Sequence, residues 1–440
     1  SSDLGRLRPV GRAFTYRRAM RLFKRRSEAI EVSVPVEPEP AATLPDPPGT
    51  DARGRRSVAD ERDYLLSLIT PLPAFGMYLL DAWGTAVCED IIADHNLPDD
   101  DLVVVAGFAV RADDLSGADE PGGAKLRLRD DDKVFKVGSA VPVHAGQPLP
   151  AGADAVIAES DAELNGTTLS VTRPVKSGDH VRWTGSEARA GVPIMRSGQR
   201  LDARSSALLA LAGIDRVLAR PRPRVVVLSV AADDPQRADV ESPLLAAAIK
   251  ADGAQVWRVG NANGTDRELQ DLISDQLIRA DIVVVSGELS ESTQLCRVVA
   301  SMGLMDLADV ALEPGGRIGF AVVGEDEIPL VLLPDEPVAS YIGYQFFVRP
   351  LIRKLMGAPV VTQATVNCLA GGELHGREGV VTVRLGAVRE QQGEKVVVPL
   401  GNPEHPRLSD LVSADALVVL DEKGPTVSLG ERVGCWLLDD

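Results

Sequence analysis

Apolar residues recur along this chain with two different periods, and the places where one gives way to the other mark its elements. The run IPLVLLP at 328–334 is apolar almost throughout, the pattern of a strand covered on both faces. Pro334 and Pro337 then bracket Asp335 and Glu336, which predicts a stiff turn. Beyond it Val338, Ile342, Phe346 and Leu351 return at roughly helical spacing. Arg349, Arg353 and Lys354 suit a helix C-terminus, and Gly357 supplies a stop. A strand, a tight turn and a helix make half of a βαβ unit, and ligands meet such sheets at the carboxyl ends of the strands. The Pro-Asp-Glu-Pro turn is therefore expected to line any pocket.

The same alternation runs back to residue 222. RVVVLSV, AQVWRVG and DIVVVSG read as apolar strands, and LLAAAIKADG, ELQDLISDQLIRA and TQLCRVVASMG as helices between them. Residues 222–357 thus predict an α/β subdomain with a mostly parallel sheet covered on both faces. Upstream the periods mix. SVADERDYLLSLI predicts a helix from residue 57, Tyr78–Ile92 a second one, and Arg204–Ala212 a third closed by Gly213. LVVVAGFAV at 102–110 is strand-like, and the short β-type runs of 103–180 predict a small β subdomain. Residues 57–102 and 181–221 make up an elongated helical and mixed subdomain. From 358 to 440 the short runs GVVTVRL, KVVVPL, ALVVLDE and RVGCWLL predict a compact β-barrel.

Residues 1–56 are of another kind. Arg17, Arg18, Arg21, Lys24, Arg25 and Arg26 crowd around Ala19, Leu22 and Phe23. As a helix this arm is basic and amphipathic, suited to an anionic membrane surface or an acidic protein partner; a solvated arm is the alternative. A Pro-rich acidic linker follows. The whole chain carries a net charge of −17 with 45% hydrophobic residues, which argues against nucleic-acid binding by the body. Cys88, Cys296, Cys368 and Cys435 lie far apart, and the five histidines show no metal spacing. Reduced thiols and no metal centre are expected. No run approaches a membrane span and no secretory signal is visible, so a cytoplasmic location is expected, peripheral to the membrane if the arm binds there.

LPDDDLVVVAGFAVR, QPLPAGADAVI, ADIVVVSGELS, ALEPGGRIGF and LLPDEPVASY follow one another in this order. The series resembles the molybdopterin molybdenumtransferase (MoeA) and gephyrin E-domain family, which has LPxFDNSAMDGYAVR, APLPEGADAVV, ADVVLTSGGVS, AMKPGKPLAF and GLPGNPVSAL at those places. The resemblance covers most of residues 57–440. It implies an α/β multi-domain chain whose central, mostly parallel α/β subdomain has flanking β-rich subdomains and a C-terminal β-barrel. It further implies an elongated homodimer, and an activity that inserts molybdate into adenylylated molybdopterin with Mg²⁺.

Carried over residue by residue, the resemblance thins. Ala106 stands where the family has an acid, Ala145 for a threonine, Thr293 and Leu295 for two acids, Glu313 and Gly316 for two lysines, and Asp335 for a glycine. Asp239, Ser286, Gly287, Ser290, Pro314, Gly315, Pro334 and Pro337 remain. Arg317 either compensates for a lost lysine or pairs with a neighbouring carboxylate. With Glu313, Asp335 and Glu336 these residues make a vestigial ligand pocket, in which the acids are expected to repel an anionic substrate. The leading expectation is a catalytically degenerate, homodimeric scaffold or adaptor that needs no cofactor and holds protein partners through its body and basic arm. One alternative is an active molybdenumtransferase using Mg²⁺, molybdate and adenylylated molybdopterin. The other is a non-catalytic pterin or nucleotide sensor.

Overall fold

A computed structural model describes residues 43–129, 135–230 and 238–438. The arm residues Arg17, Arg18, Arg21, Lys24, Arg25 and Arg26 lie outside the described residues. From Leu44 onward the chain forms one unit. It begins with helix α1 (Val58–Ser67), whose first turn is capped by the Ser57 hydroxyl accepting from Asp60 N–H. Arg56, buried at the foot of α1, reaches Glu61 at 2.9 Å and Asp306 at 2.5 Å. This triad, in which Arg56 and Glu61 are buried and Asp306 is partly so, pins α1 to the distal edge of the central sheet.

A helix is expected over Tyr78–Ile92, and the structure has none there. It has strand β1 (Phe75–Tyr78), a series of turns, and strand β2 (Ile91–Ile92). Gly84 takes a φ of +80°, which a helix does not allow. Ala82, Val87 and Ile91 each enter a core shared with Met195, Leu201 and Leu209, so tertiary packing outweighs the local spacing. LVVVAGFAV is likewise split into β3 (Leu102–Val103) and β4 (Gly107–Val110). Gly107 has a packing reason: a Cβ there would stand 1.9 Å from the Ile157 carbonyl oxygen.

The small β region contains β5 (Ala124–Leu128), β6 (Ser139–Val143), β7 (Ala155–Ala158), β8 (Ala162–Asn165) and β9 (Thr168–Val171), joined with β4 in the order β7-β4-β6-β5-β9-β8. The chain then returns. β10 (Val181–Arg182) pairs with β3 and β11 (Pro193–Met195) with β2. After helix α2 (Ala203–Leu211), β12 (Arg216–Ala219) pairs antiparallel with β1.

The central layer runs β13 (Arg224–Val230), α3 (Glu241–Ala251), β14 (Gln255–Ala262), α4 (Asp266–Leu277), β15 (Ile282–Gly287), α5 (Gln294–Met302), β16 (Gly303–Asp309), β17 (Leu312–Glu313), β18 (Arg317–Val323) and β19 (Ile328–Leu333). Its sheet has the order β14-β13-β15-β19-β18-β16, parallel through β19 and antiparallel beyond. Val225–Leu228, Val283–Val285 and Leu330–Leu333 are fully buried, because separate apolar cores form on the two faces of the sheet.

The single helix expected after Pro337 has three parts: α6 (Pro337–Gly343), a π-helical turn at Tyr344–Val348, and α7 (Arg349–Leu355). Pro350 has no N–H to return to the preceding turn, and the wider turn before it absorbs that break. The Tyr344 hydroxyl donates to the Asp252 carboxylate, which also accepts from Arg349 Nε at 2.8 Å. Burial, then the Asp252 charge, pushes the Tyr344 hydroxyl well up, so it stays a donor.

β20 (Val366–Ala370), β21 (Leu374–His375), β22 (Val381–Gln391), β23 (Glu394–Pro399), α8 (Leu408–Val412), β24 (Ala416–Leu420), β25 (Thr426–Val427) and β26 (Arg432–Leu437) complete the chain. The ladder β22-β23-β20-β26-β24 closes through β22–β24, removing open edges. The α/β multi-domain architecture with a mostly parallel central sheet and a terminal β-barrel is thus present. No described helix is long and apolar enough to cross a membrane. All four cysteines are free thiols.

Candidate functional site

Three parallel strands end side by side. In their register Ser229 of β13 stands opposite Ser286 of β15, and Ser286 opposite Leu333 of β19. The pocket at this edge is lined by Ser229, Asp239, Glu241, Asn261, Ser286 and Asp335. It lies at the carboxyl ends of the strands, where parallel sheets take ligands.

Asp239, just before α3, is the most constrained of these groups. Its Oδ1 accepts from the Ser229 hydroxyl at 2.7 Å and from Ser242 N–H at 3.1 Å. Its Oδ2 accepts from the Ser242 hydroxyl and from Arg258 at 3.0 Å. Burial alone would raise this carboxyl; the hydrogen bonds from Ser242 and Ser229, with the Arg258 charge, outweigh it and hold the group below its ordinary value. Asp239 is therefore a fixed, ionised acceptor. Ser286 is its opposite: it is 1% exposed, and its hydroxyl has no hydrogen-bond partner among the described residues. A buried hydroxyl without a partner is costly, and this one faces the pocket.

The other expected site residues take structural work. Gly287 leaves room for α5, since a Cβ would come 2.6 Å from a Leu295 methyl. Ser290 contacts the Ser292 hydroxyl at 3.1 Å in an exposed loop. Glu313 pairs with Arg377 of the barrel at 2.6 Å, joining the two subdomains where β17 meets β22. Pro314 and Gly315 form the next turn, where Gly315 has a φ of +93° and presses against the Ala339 carbonyl. Arg317 pairs with Asp309 at 2.9 Å, the neighbouring-carboxylate alternative. Pro334 and Pro337 shape the turn, and Pro337 opens α6. Glu336 caps that helix, its carboxylate accepting from Val338 N–H at 3.3 Å and Ala339 N–H at 2.6 Å.

The structure thus brings together Asp239, Ser286 and Asp335 and leaves Ser290, Glu313, Pro314, Gly315 and Arg317 outside that pocket lining. Of the three acids expected to repel an anion, Glu313 is paired with Arg377 and Glu336 accepts from two backbone N–H groups. Ser229, Glu241 and Asn261 are not among the expected pocket residues, although Ser229 opens the segment that stands where the family has STGDEL. A signal existed for two of them: Ser229 and Asn261 are polar residues near the ends of otherwise strand-like runs. Among the described residues no group of three His, Cys, Asp or Glu is placed to hold a metal ion.

Residues 56–213 match the model of the MoeA N-terminal region (domain I and II), and residues 370–438 that of the MoeA C-terminal region (domain IV). Molybdopterin molybdenumtransferase 1 of Mycobacterium tuberculosis is 29% identical over 421 residues, covering 86% of this chain and 98% of that protein. Molybdopterin molybdenumtransferase 2 of the same organism is 25% identical, covering 87% and 99%. Among solved structures, a molybdopterin biosynthesis MoeA protein from Pyrococcus horikoshii superposes with a TM-score of 0.70 at 22% identity, over 87% of this chain and 99% of that one.

Proposed function

This chain belongs to the MoeA family, and on that premise we propose that it is a molybdopterin molybdenumtransferase acting in molybdenum cofactor biosynthesis. The observation that carries the reading is the buried, unpartnered Ser286 hydroxyl beside the fixed Asp239 carboxylate. The two groups supply complementary chemistry at one strand edge. Ser286 offers an unused donor to an anionic oxygen, and Asp239 offers an oriented acceptor held ionised by its neighbours. Arg258, half exposed at the same place and paired with Asp239 at 3.0 Å, has further N–H donors for a phosphate or oxyanion. Full-length alignment with transferases supports the same conclusion. Both Asp239 oxygens are already engaged, and the described donors assemble no Mg²⁺ site.

The test is restoration of cofactor synthesis in a transferase-deficient bacterial strain. The wild-type chain restores it, and Asp239→Ala and Ser286→Ala lose it. A wild-type chain that is soluble and abundant yet inactive overturns the reading.

One observation favours the catalytically degenerate, homodimeric scaffold. Glu313, where the resemblance places a lysine, is committed to Arg377 and offers an anion no attraction. On that reading complementation fails, and light scattering of the full chain finds a dimer.

A further inference from the structure

The face around β1 is separate from the pocket at the strand ends. β1 pairs only with β12, so its other edge is open among the described residues. Phe75 and Tyr78 are each 51% exposed, Leu80 88% and Trp83 49%. Large apolar residues gathered at a surface in this way mark interaction sites. Phe75, Tyr78, Leu80, Asp81 and Arg222 line a groove of about 600 Å³. Two guanidinium groups lie against the rings: Arg216 sits 4.0 Å from the Tyr78 centroid, and Arg222 sits 5.7 Å from that of Trp83. Arg222 also donates to the Trp83 carbonyl at 2.7 Å. Neither arginine forms an ion pair among the described residues.

We propose that this face docks an extended, acidic, proline-containing segment of a partner protein. Aromatic-lined grooves take proline rings in extended chains; Arg216 donates to the Tyr78 hydroxyl and Arg222 to the Trp83 carbonyl, and each guanidinium has further N–H donors for a carboxylate. The open edge of β1 suits an extended chain.

The test uses the full chain and a fluorescently labelled twelve-residue peptide of alternating glutamate and proline, read by anisotropy. Binding should weaken at least about tenfold when ionic strength is raised well beyond the physiological range, where exposed charges are screened within roughly 3–8 Å. It should weaken comparably in the Arg216→Glu, Arg222→Glu double variant, and with a peptide that has glutamine in place of glutamate. Trp83→Ala should also weaken it, which a purely electrostatic contact would not do. These side chains are at the surface, and matching melting curves show that the variants are folded. Absent binding to the wild-type chain, equal binding to the double variant, or tighter binding of a single-stranded oligonucleotide overturns the proposal. So does a dimer that Leu80→Asp converts to monomer, since the face would then belong to a second copy.

Discussion

Ser286→Ala separates a ligand-binding hydroxyl from a structural one, because the two roles predict opposite changes in stability. Ser286 is 1% exposed, sits on the central strand β15, and has no partner for its hydroxyl among the described residues. Burying such a group without a hydrogen bond costs about 1–3 kcal/mol. Alanine keeps the backbone and removes the hydroxyl, so the ligand-free protein should gain roughly 1 kcal/mol or more. In a chain of several subdomains this appears as a rise of a few degrees in the transition that includes the central sheet. Circular dichroism melts measure the gain, and complementation of the transferase-deficient strain measures the loss of function. Ser340 is the control: it too is fully buried and its hydroxyl has no partner among the described residues, but it lies in α6 and is not in the lining of the strand-end pocket. Ser340→Ala should stabilise without affecting complementation. A Ser286→Ala protein that melts lower, or that complements fully, refutes the reasoning.

Three further outcomes follow from the same geometry. Arg56→Ala leaves Glu61, 1% exposed, and Asp306 without their shared cation; denaturant titration should show a loss of about 3–5 kcal/mol. The Asp239 carboxyl is held below its ordinary 3.8 in the folded chain, so its stabilisation is complete above that value and is lost as pH falls through the lower folded pKa. The stability advantage of the wild type over Asp239→Asn should accordingly shrink during acid titration followed by fluorescence. Gly315→Ala forces a side chain into a φ of +93° and to within 2.6 Å of the Ala339 carbonyl oxygen; thermal melts should report a cost of at least about 1 kcal/mol.

Much of this architecture was legible in the sequence because burial leaves a local pattern. β13, β15 and β19 read correctly since each is covered on both faces and so is apolar from end to end. α4 and α5 followed from their spacing, and the order of the broken motifs pointed to the family. Where a strand has only partial cover the pattern weakens: β16, at the sheet edge, has no fully apolar run. β18 is buried along most of its length and is not marked by its spacing either. Between Tyr78 and Ile92 the apolar spacing misled, because Ala82, Val87 and Ile91 reach their core from turns rather than along one helix face. The site depended still more on contacts distant in the chain. Sequence placed Asp239, Ser286 and Asp335 as candidates, but only tertiary structure decided which charges are available. Glu313 finds Arg377 from another subdomain, Arg317 turns to Asp309, and Glu336 turns back onto α6. Periodicity records which side of an element is buried, a property of neighbours along the chain. What a charge does depends on which opposite charge or donor lies within a few ångströms of it, and folding draws those partners from anywhere in the chain.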